Sequence, residues 1–397
     1  MTTKESLVIL GRQPALGLAE LESLYGADKL QPAGNEAALL KITPESVDFA
    51  RLGGAIKVCS VLDVLETTKW PAIQNFLEQA APKLAAQLPE GKMQLGLSTY
   101  ELGVNPQQLL AAGLNLKKAI RKTGRSVRLV PSQGSALNSA QVLHNHLTGP
   151  TGCELVLVRD GDKTICAQTI AEQDIESYTL RDRGRPKRDA RVGMLPPKLA
   201  QIIINLAVGA QQPSQNFTLL DPFCGTGVIL QEALLTGFSA YGSDIESRMV
   251  DYSSTNTSWL YANHHELRGF LSLDTGDATI HQWKKKFQFV ASETYLGQPF
   301  SSFPTPEKLE QVRGTCNAII EKFLANIGRQ IKPGTRLCLA VPAWQEKPGQ
   351  FIHLPLLDHL RELGYNRVKF GHARAQGLIY SREGQIVGRE LLVITRK

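Results

Sequence analysis

One seven-residue stretch has the composition of a loop that binds a nucleoside-type cofactor: Asp221-Pro222-Phe223-Cys224-Gly225-Thr226-Gly227. The apolar run from Phe217 to Asp221 predicts a buried strand before it, and a helix is predicted from Gly227 to Thr236. The glycines permit a tight turn and a close approach of the backbone to a ligand, and the free N–H groups of the helix point towards that ligand. A dinucleotide fingerprint needs a further glycine at position 230, which is Leu230. The loop therefore predicts S-adenosylmethionine, a cofactor without a pyrophosphate.

Carboxylates follow two more predicted strands in the same part of the chain. Asp244 ends the strand predicted over 240–244, and Asp277 follows the strand predicted over 271–273. In an open α/β sheet, ligands bind beyond the carboxyl ends of the strands. We expect Asp221 to hold the cationic amino-acid end of the cofactor, Asp244 to accept both ribose hydroxyls, and Asp277 to reach the adenine amino group. Taken singly, each of these residues is equally typical of a helix cap or a turn.

The elements that must position these residues alternate between helices and strands. Strands are predicted over 217–221, 240–244, 271–273, 287–291 and 336–341, and helices over 197–207, 227–236, 248–263, 306–327 and 355–363. Such alternation predicts a parallel, doubly wound α/β sheet. A closing strand pair around 378–380 and 390–394 predicts an antiparallel edge.

The first half of the chain has a different order of elements. Strands at 6–10, 38–42 and 55–58 with helices at 16–25 and 44–52 predict a small α+β unit. A second unit begins near Trp70, with strands at 93–98, 127–130, 154–158 and 164–167 and helices at 106–123 and 136–147. From Tyr178 to Arg191, basic residues crowd together without apolar periodicity, which predicts a linker or docking loop between domains.

Length and composition limit the class of protein. A chain of 397 residues with 42% apolar residues predicts two or three folded domains. No apolar stretch has the length of a membrane span, and no signal-type apolar core follows Met1. None of the six cysteines forms a Cys-x-x-Cys pair, so we expect reduced thiols in a cytoplasmic protein, without a zinc site or disulfide framework.

A second cluster of basic residues begins in one predicted helix and extends to the strand after it. The net charge is +7, and the helix at 106–123 ends in a cluster of cations without interleaved acids. The run comprises Lys117, Lys118, Arg121, Lys122, Arg125 and, on the strand, Arg128. A solvated helix face is the usual meaning of a charge run, but the lack of offsetting glutamates favours contact with RNA phosphates.

Several segments together resemble the THUMP-domain tRNA guanine-N2 methyltransferases, most closely the subgroup that modifies position ten of tRNA. The segments are 9–14, 181–186, 193–201, 221–227 and 385–390. The resemblance implies a ferredoxin-like domain over 1–65, a THUMP RNA-binding domain over 66–172, a basic linker over 173–192 and a Rossmann-like class I methyltransferase domain over 193–397. It also implies a cytoplasmic enzyme with tRNA as its partner and no membrane or metal.

The resemblance also assigns residues to sites. By residue type alone, Pro196 and Pro197 are typical of a helix start. In that family, the corresponding segment lies against the cofactor and the target base. The implied cofactor-binding set is Pro196, Pro197, Asp221, Phe223, Gly225, Thr226, Gly227, Asp244, Ile245, Asp277 and Ala278. The implied RNA-binding set is the basic run together with Arg183 and Arg185.

The sequence departs from the family after the fourth strand of the predicted sheet. Amino-group methyltransferases usually carry Asp/Asn-Pro-Pro-Tyr/Phe there, because oxygen acceptors raise the electron density of a weakly nucleophilic amine and an aromatic ring orients the base. This chain has Ser292-Glu293-Thr294-Tyr295 instead. We predict Ser292, Glu293 and Tyr295 as catalytic residues, with Glu293 or Ser292 as the acceptor. The alternatives are a methyltransferase for another RNA base and a catalytically altered RNA-binding homologue.

Overall fold

The computed structural model describes residues 5–189, 195–300 and 302–397. The chain forms two compact units, the first comprising 1–18, 27–50 and 54–176 and the second comprising 19–26, 51–53 and 177–397. Residues 190–192 of the predicted linker, and residues 193 and 194 of the motif that carries the resemblance, lie outside the described residues. In the part of the chain that the structure describes, no helix has both the length and the apolar character of a membrane span.

The first unit is built on a mixed sheet. Its strands are β1 (Ser6–Leu10), β2 (Leu30–Ala33), β3 (Ala37–Leu40), β4 (Ala55–Leu65), β5 (Met93–Tyr100), β6 (Val127–Leu129), β7 (Gly152–Asp160) and β8 (Lys163–Glu172). Their order across the sheet is β2-β3-β1-β4-β8-β7-β5-β6. β5 pairs in parallel with β6 and β7, whereas β4 and β8 form a long antiparallel pair.

The helices of the first half of the chain are α1 (Pro14–Tyr25), α2 (Trp70–Gln87), α3 (Pro106–Arg121) and α4 (Ser139–His144). α3 begins at a capping box: the Asn105 side chain accepts from the Gln108 N–H at 2.9 Å, and the Gln108 side chain accepts from the Asn105 N–H at 3.1 Å. Buried residues at helical spacing, Leu109, Leu116 and Ile120, place one face of α3 in the core. α3 therefore turns its basic last turn to the surface.

Most predicted elements of this half are present, with some differences. The helix predicted over 44–52 is wrong, because that stretch forms two short 3₁₀ turns, Pro44–Ser46 and Phe49–Arg51. The helix predicted over 136–147 is reduced to α4, and neither β2 nor α2 was predicted. The division at residue 65 between a ferredoxin-like and a THUMP domain stays a prediction, since one sheet contains strands from both segments.

The second unit carries a larger sheet between helices. Its helices are α5 (Ile175–Arg183, of which 177–183 belong to this unit), α6 (Pro197–Val208), α7 (Val228–Leu235), α8 (Ser247–Asn263) and α9 (Pro306–Ile327). Its strands are β9 (Thr218–Asp221), β10 (Ser239–Asp244), β11 (Leu271–Thr275), β12 (Phe289–Glu293), β13 (Arg336–Lys347), β14 (Gln350–Ile352), β15 (Tyr365–Arg367), β16 (Ile379–Tyr380) and β17 (Val387–Arg396).

The strand order β11-β10-β9-β12-β13-β17-β15 confirms the predicted doubly wound sheet. The first five strands are parallel, and β17 runs antiparallel between β13 and β15, which confirms the antiparallel edge. The order reverses between β9 and β12, so the carboxyl ends of these strands form the crevice where such sheets bind ligands. Fully buried side chains of α9, such as Ile320 and Phe323, pack over the parallel strands.

One helix predicted for this unit is wrong: the stretch 355–363 contains a single 3₁₀ turn, Pro355–Asp358. The stretch predicted as a linker or docking loop contains most of α5, and its role between domains stays a prediction. Its Arg181 is buried and donates to Glu232 Oε1 of α7 at 2.8 Å. An arginine in a basic run carries no sequence signal of a buried partner 51 residues away.

Candidate active site

The loop after β9 turns through two left-handed glycines. Gly225 has φ +51° and Gly227, at the start of α7, has φ +82°, a conformation that L side chains rarely adopt. A Cβ atom on residue 227 would lie 2.8 Å from the Ser253 hydroxyl of α8. That hydroxyl donates to the Gly225 carbonyl at 2.8 Å. α8 therefore holds the loop in place and leaves no room for a side chain at position 227.

Asp244 bonds the same loop from the end of β10. Its Oδ2 atom accepts from the Gly225 N–H at 2.9 Å, and its Oδ1 atom accepts from the Glu246 N–H at 3.0 Å. Burial raises the pKa of Asp244, and the two backbone hydrogen bonds oppose that rise. Each carboxylate oxygen has a second lone pair, so Asp244 retains the capacity to accept ligand hydroxyls. The next residue, Ile245, is 67% exposed and offers an apolar surface beside this carboxylate.

Asp277 lies just beyond β11 and organises a turn. Its Oδ1 atom accepts from the Thr279 N–H at 2.9 Å and from the Thr279 hydroxyl at 2.8 Å. The carbonyl of buried Ala278 accepts from the Asn326 side chain of α9 at 3.0 Å. The turn role that a strand-end aspartate often has is therefore present, and the predicted contact with adenine remains a prediction.

Asp221 ends β9 as a buried carboxylate with 2% exposure. Its Oδ1 atom accepts from the Ser292 hydroxyl at 2.6 Å and from the Phe223 N–H at 3.2 Å. Burial raises the pKa of Asp221 to about 7, although these two hydrogen bonds lower it. A carboxylate in this state is sensitive to any cation placed beside it, because an adjacent positive charge favours ionisation.

The three predicted catalytic residues lie together at the carboxyl end of β12 but differ in accessibility. Ser292 is completely buried and directs its hydroxyl proton to Asp221. Successive side chains of a strand alternate between its faces, and Glu293 is bonded instead to Arg389 of β17, with 15% of its side chain exposed. Tyr295 follows the strand and is 45% exposed. Glu293 and Tyr295 are thus the two members of the set whose side chains are accessible to solvent.

Arg389 is a site residue that sequence reasoning missed. The segment 385–390 contributed to the resemblance, but nothing in it indicated a partner for an arginine. The Arg389 Nε atom donates to Glu293 Oε1, and the arginine side chain is 8% exposed. The two residues are 96 positions apart, and the antiparallel insertion of β17 next to β13 brings them together.

The residues before α6 are attached to the cofactor loop through one asparagine. The Asn256 side chain of α8 accepts from the Lys187 N–H at 2.8 Å and donates to the carbonyls of Lys187 and Thr226, each at 2.8 Å. Pro197 is the first residue of α6, after Pro196 in an extended conformation, so the helix-start role of this pair is present. The predicted contact of these prolines with a cofactor is untested.

The predicted RNA-binding residues differ in how freely they reach the surface. Lys118, Arg121, Lys122, Arg128 and Arg183 are exposed and Lys117 is half-buried, whereas Arg185 is only 3% exposed. Arg125 donates to the carbonyls of Leu88 and Pro89 at 3.0 and 2.6 Å, and to that of Ala85. Arg125 thus binds the last carbonyls of α2, a structural role that its place in the basic run did not indicate.

Part of the second unit matches a known protein family. Residues 185–345 match the UPF0020 family, which is described as an RMKL-like methyltransferase domain. The matched range lies within the second unit. It includes the loop after β9, Asp244, Asp277 and the Ser292–Tyr295 segment, and it ends before Arg389.

Curated relatives cover parts of the chain. A tRNA (guanine(10)-N2)-dimethyltransferase of Methanothermobacter thermautotrophicus is 30% identical over 150 residues, which are 38% of this chain and 39% of the relative. A protein of the same name from Methanocaldococcus jannaschii is 29% identical over 252 residues, which are 62% of this chain and 66% of the relative. The matches therefore span less than two thirds of the length of these relatives.

Solved structures share the fold at low sequence identity. TrmN from Thermus thermophilus matches 99% of this chain and 100% of its own, with a TM-score of 0.52 and 17% identity. A possible methylase from Clostridium difficile 630 matches 98% of this chain and 97% of its own, with a TM-score of 0.50 and 13% identity. Together with the strand order, these matches show that the second unit has a methyltransferase-like α/β fold.

Proposed function

We propose that this protein is an S-adenosylmethionine-dependent tRNA methyltransferase that methylates the exocyclic N2 amine of a guanosine. The observation that carries the proposal is the hydrogen bond from the Gly225 N–H to Asp244, which joins a loop of two left-handed glycines to the carboxylate of the next strand. The names of the archaeal relatives support guanine N2 in tRNA as the acceptor.

The residues at the carboxyl ends of β9, β10 and β11 fit this cofactor. The first turn of α7 offers free N–H groups, Asp244 offers acceptors for ribose hydroxyls, and exposed Ile245 offers an apolar surface for adenine. Burial raises the pKa of Asp221 to about 7. The cationic amino group of the ligand would lower this pKa and favour the ionised carboxylate. Bound there, S-adenosylmethionine supplies an electrophilic methyl group.

We assign the amine acceptor to Glu293 rather than Ser292. The hydroxyl of Ser292 is fully buried and committed to Asp221, whereas the Glu293 carboxylate reaches the surface of the crevice. A carboxylate that accepts an amine N–H raises electron density on nitrogen and stabilises the positive charge that develops as nitrogen attacks a methyl group. Tyr295, which is 45% exposed, is placed to stack on the base and fix its orientation.

The first unit is proposed to bind tRNA through a ferredoxin-like domain over 1–65 and a THUMP domain over 66–172. The exposed cations of α3 and β6 supply phosphate contacts, which give affinity and orientation but little sequence information. A cytoplasmic location follows from tRNA as the substrate.

A second candidate function is RNA binding without amine methylation, or methylation of another base. The motif Ser292-Glu293-Thr294-Tyr295 favours it, because neither proline of the usual amine motif is present and Glu293 is already ion-paired. A lost amine site with an intact cofactor loop would leave a protein that binds the cofactor and tRNA but transfers nothing to guanine.

Methyl transfer with purified components separates these functions. Purified full-length protein is incubated with labelled S-adenosylmethionine and an unmodified tRNA transcript, and the digested nucleosides are analysed by mass spectrometry. We expect N2-methylated guanosine, which Glu293→Gln reduces and Asp244→Ala abolishes through loss of cofactor binding in calorimetry. Cofactor binding without any methylated nucleoside would refute the enzymatic function, and methylation of another base would refute the assignment to guanine.

A further inference from the structure

We propose that Arg389 is a positioning residue that holds the Glu293 carboxylate in the place where it receives the amine of the target base. The inference rests on the proposed function and adds a residue that lies outside the matched methyltransferase range, 185–345. It concerns how this chain compensates for the missing Asp-Pro-Pro-Tyr motif.

Glu293 and Arg389 approach each other across β13, the strand that lies between β12 and β17. β12 ends at Glu293, which lies beside Ala340 of β13, and Arg389 of β17 lies beside Pro342 of the same strand. The two side chains therefore meet across β13, and the Arg389 Nε–H donates to Glu293 Oε1. The antiparallel direction of β17 is required, because it brings the start of that strand to the carboxyl ends of the parallel strands.

Both side chains of this ion pair are largely buried. Arg389 and Glu293 are 8% and 15% exposed in their side chains, so the pair is largely shielded from solvent. A glutamate at a strand end without such a partner would sample several rotamers in water. The guanidinium has a planar, fixed arrangement of donors, so it restricts both the position and the orientation of the carboxylate.

The Glu293 carboxylate has more acceptor positions than the hydrogen bond from Arg389 occupies. A carboxylate has about four acceptor positions on its two oxygens, and the Arg389 Nε–H occupies one of them. Glu293 can accept an amine N–H while it is held by Arg389. Arg389 attracts part of the negative charge of Glu293 and so weakens this carboxylate as an acceptor. Correct placement of the reacting groups contributes more to the rate than this weakening removes, since small misplacements slow a reaction steeply.

The alternative is that Arg389 only stabilises the sheet. Buried ion pairs contribute little net stability relative to apolar residues of similar size, so stability alone is a weak reason for this pair. The next residue of β17 provides a direct contrast: Glu390 accepts from Arg367 at 2.8 Å and bonds His353 at 2.6 Å, and neither partner is among the predicted catalytic residues. Arg367→Gln is therefore a matched control that removes an arginine–glutamate pair of the same strand.

The test uses full-length Arg389→Gln, Arg389→Lys, Glu293→Gln and the double variant with unmodified tRNA transcript. We expect Arg389→Gln to lower kcat roughly 10- to 100-fold with little change in KM for tRNA or in the calorimetric Kd for S-adenosylmethionine. Arg389→Lys should recover part of kcat, because lysine keeps the charge but not the planar donor arrangement. The double variant should be no slower than Glu293→Gln alone, since both changes remove one acting pair.

Several outcomes would overturn this role. Multiplying effects in the double variant would mean that Arg389 acts independently of Glu293. If Arg367→Gln lost as much kcat as Arg389→Gln, the loss would come from a general disturbance of the sheet. If Arg389→Gln kept the wild-type kcat, Arg389 would not position Glu293. If Arg389→Gln does not fold, as thermal unfolding reports, the comparison of Arg389→Lys with Arg367→Gln decides instead. If the wild-type protein transfers no methyl group, the proposed function itself is refuted. If the wild type is active and the losses of kcat in the two single variants multiply in the double variant, only the role of Arg389 is refuted.

Discussion

The Ser292 hydroxyl donates a 2.6 Å hydrogen bond to Oδ1 of Asp221, and it thereby joins the ends of β12 and β9 inside the crevice of the sheet. Both residues are buried, and the hydrogen bond lowers a carboxylate pKa that burial raises. Ser292 stands at the position of the usual amine-motif acid, yet its hydroxyl is bonded to Asp221. Under the proposed function, Glu293 is therefore the carboxylate that is left to accept the amine.

Removing this hydroxyl should destabilise the second unit in a pH-dependent manner. In Ser292→Ala, Asp221 loses a donor and its pKa rises further above its unfolded value. A carboxyl whose folded pKa is raised loses stability as pH rises through that pKa, so the loss should be larger at pH 8.5 than at pH 6. We expect about 1–3 kcal/mol at the higher pH, from urea unfolding.

The matched control for this prediction is Thr315→Ala, which removes an exposed hydroxyl of α9 that donates to the Gln311 carbonyl at 2.9 Å. Its effect should be small and the same at both pH values. An equal loss for Ser292→Ala at pH 6 and pH 8.5 would show that the hydroxyl does not affect the ionisation of Asp221.

Glu172 should make the first unit less stable as pH rises towards neutrality. Burial raises the pKa of Glu172 to about 7, although Lys57 at 3.5 Å and the Ser139 hydroxyl at 2.6 Å lower it. The folded pKa lies above the unfolded value of about 4.5, so the protonated form stabilises the fold below pH 4.5 and this contribution is lost up to about pH 7. Glu172→Gln should gain up to about 3 kcal/mol over the wild type at pH 8, and less than about 1 kcal/mol near pH 5.

Glu154 offers the contrasting variant for the same unfolding measurement. Its carboxylate accepts from Lys57 at 2.5 Å and from the Ser98 and Thr169 hydroxyls at 2.6 Å each. Glu154→Gln should destabilise at both pH values, because it leaves the Lys57 ammonium buried without its nearest anion. A Glu172→Gln variant that loses stability at pH 8 as Glu154→Gln does would contradict the prediction for Glu172.

Gly227 should tolerate no side chain. Gly227→Ala combines a left-handed φ of +82° with a Cβ placed 2.8 Å from the Ser253 hydroxyl. We expect a loss of roughly 1–2 kcal/mol in stability from the backbone alone and at least about tenfold weaker cofactor binding, by unfolding and calorimetry.

Gly314→Ala is the matched control, because residue 314 lies on the exposed side of α9 and a Cβ there meets no atom within 4 Å. This variant should gain about 0.4–1 kcal/mol, since alanine reduces the freedom of the unfolded chain. If Gly227→Ala behaved like Gly314→Ala, the loop would not be held by the backbone of Gly227.

The basic run that begins in the last turn of α3 should divide into residues that bind tRNA and one residue, Arg125, that supports the fold. Arg121→Glu changes an exposed cation, so it should weaken tRNA binding and reduce the slope of log K against log salt by about 0.7–0.9 for the phosphate contact it removes. Cofactor affinity and the unfolding midpoint should not change. Filter binding at several salt concentrations measures the first effect.

Arg125→Glu is the informative counterpart. It should lower the unfolding midpoint, because Arg125 binds carbonyls at the end of α2, including those of Leu88 and Pro89. Weaker tRNA binding by this variant would then follow from local unfolding. If Arg121→Glu left both affinity and salt slope unchanged, the basic face of α3 would be only solvated.

The sheet of the second unit was predictable because the sequence signals of its strands and helices are local. Each parallel strand is a short apolar run followed by a turn and an amphipathic helix, and the order of such units limits the topology to a few choices. Gly225, Gly227, Asp221 and Asp244 lie within such strand–turn–helix units, so type and spacing alone placed them at one edge of the sheet. The helix predicted over 306–327 coincides with α9 for the same reason.

Residue types and their spacing were enough to predict which residues stand at the strand ends, whereas the contacts of their side chains depend on packing between distant segments of the chain. The charge of Arg125, Arg181 or Arg389 is visible in the sequence, whereas their partners lie about 40, 51 and 96 residues away. Burial changes what each charge does, because a desolvated arginine needs an acceptor and a solvated one remains available to phosphates. The same reason separates Ser292 from Glu293: strand alternation and the insertion of β17 bury one against Asp221 and pair the other with Arg389.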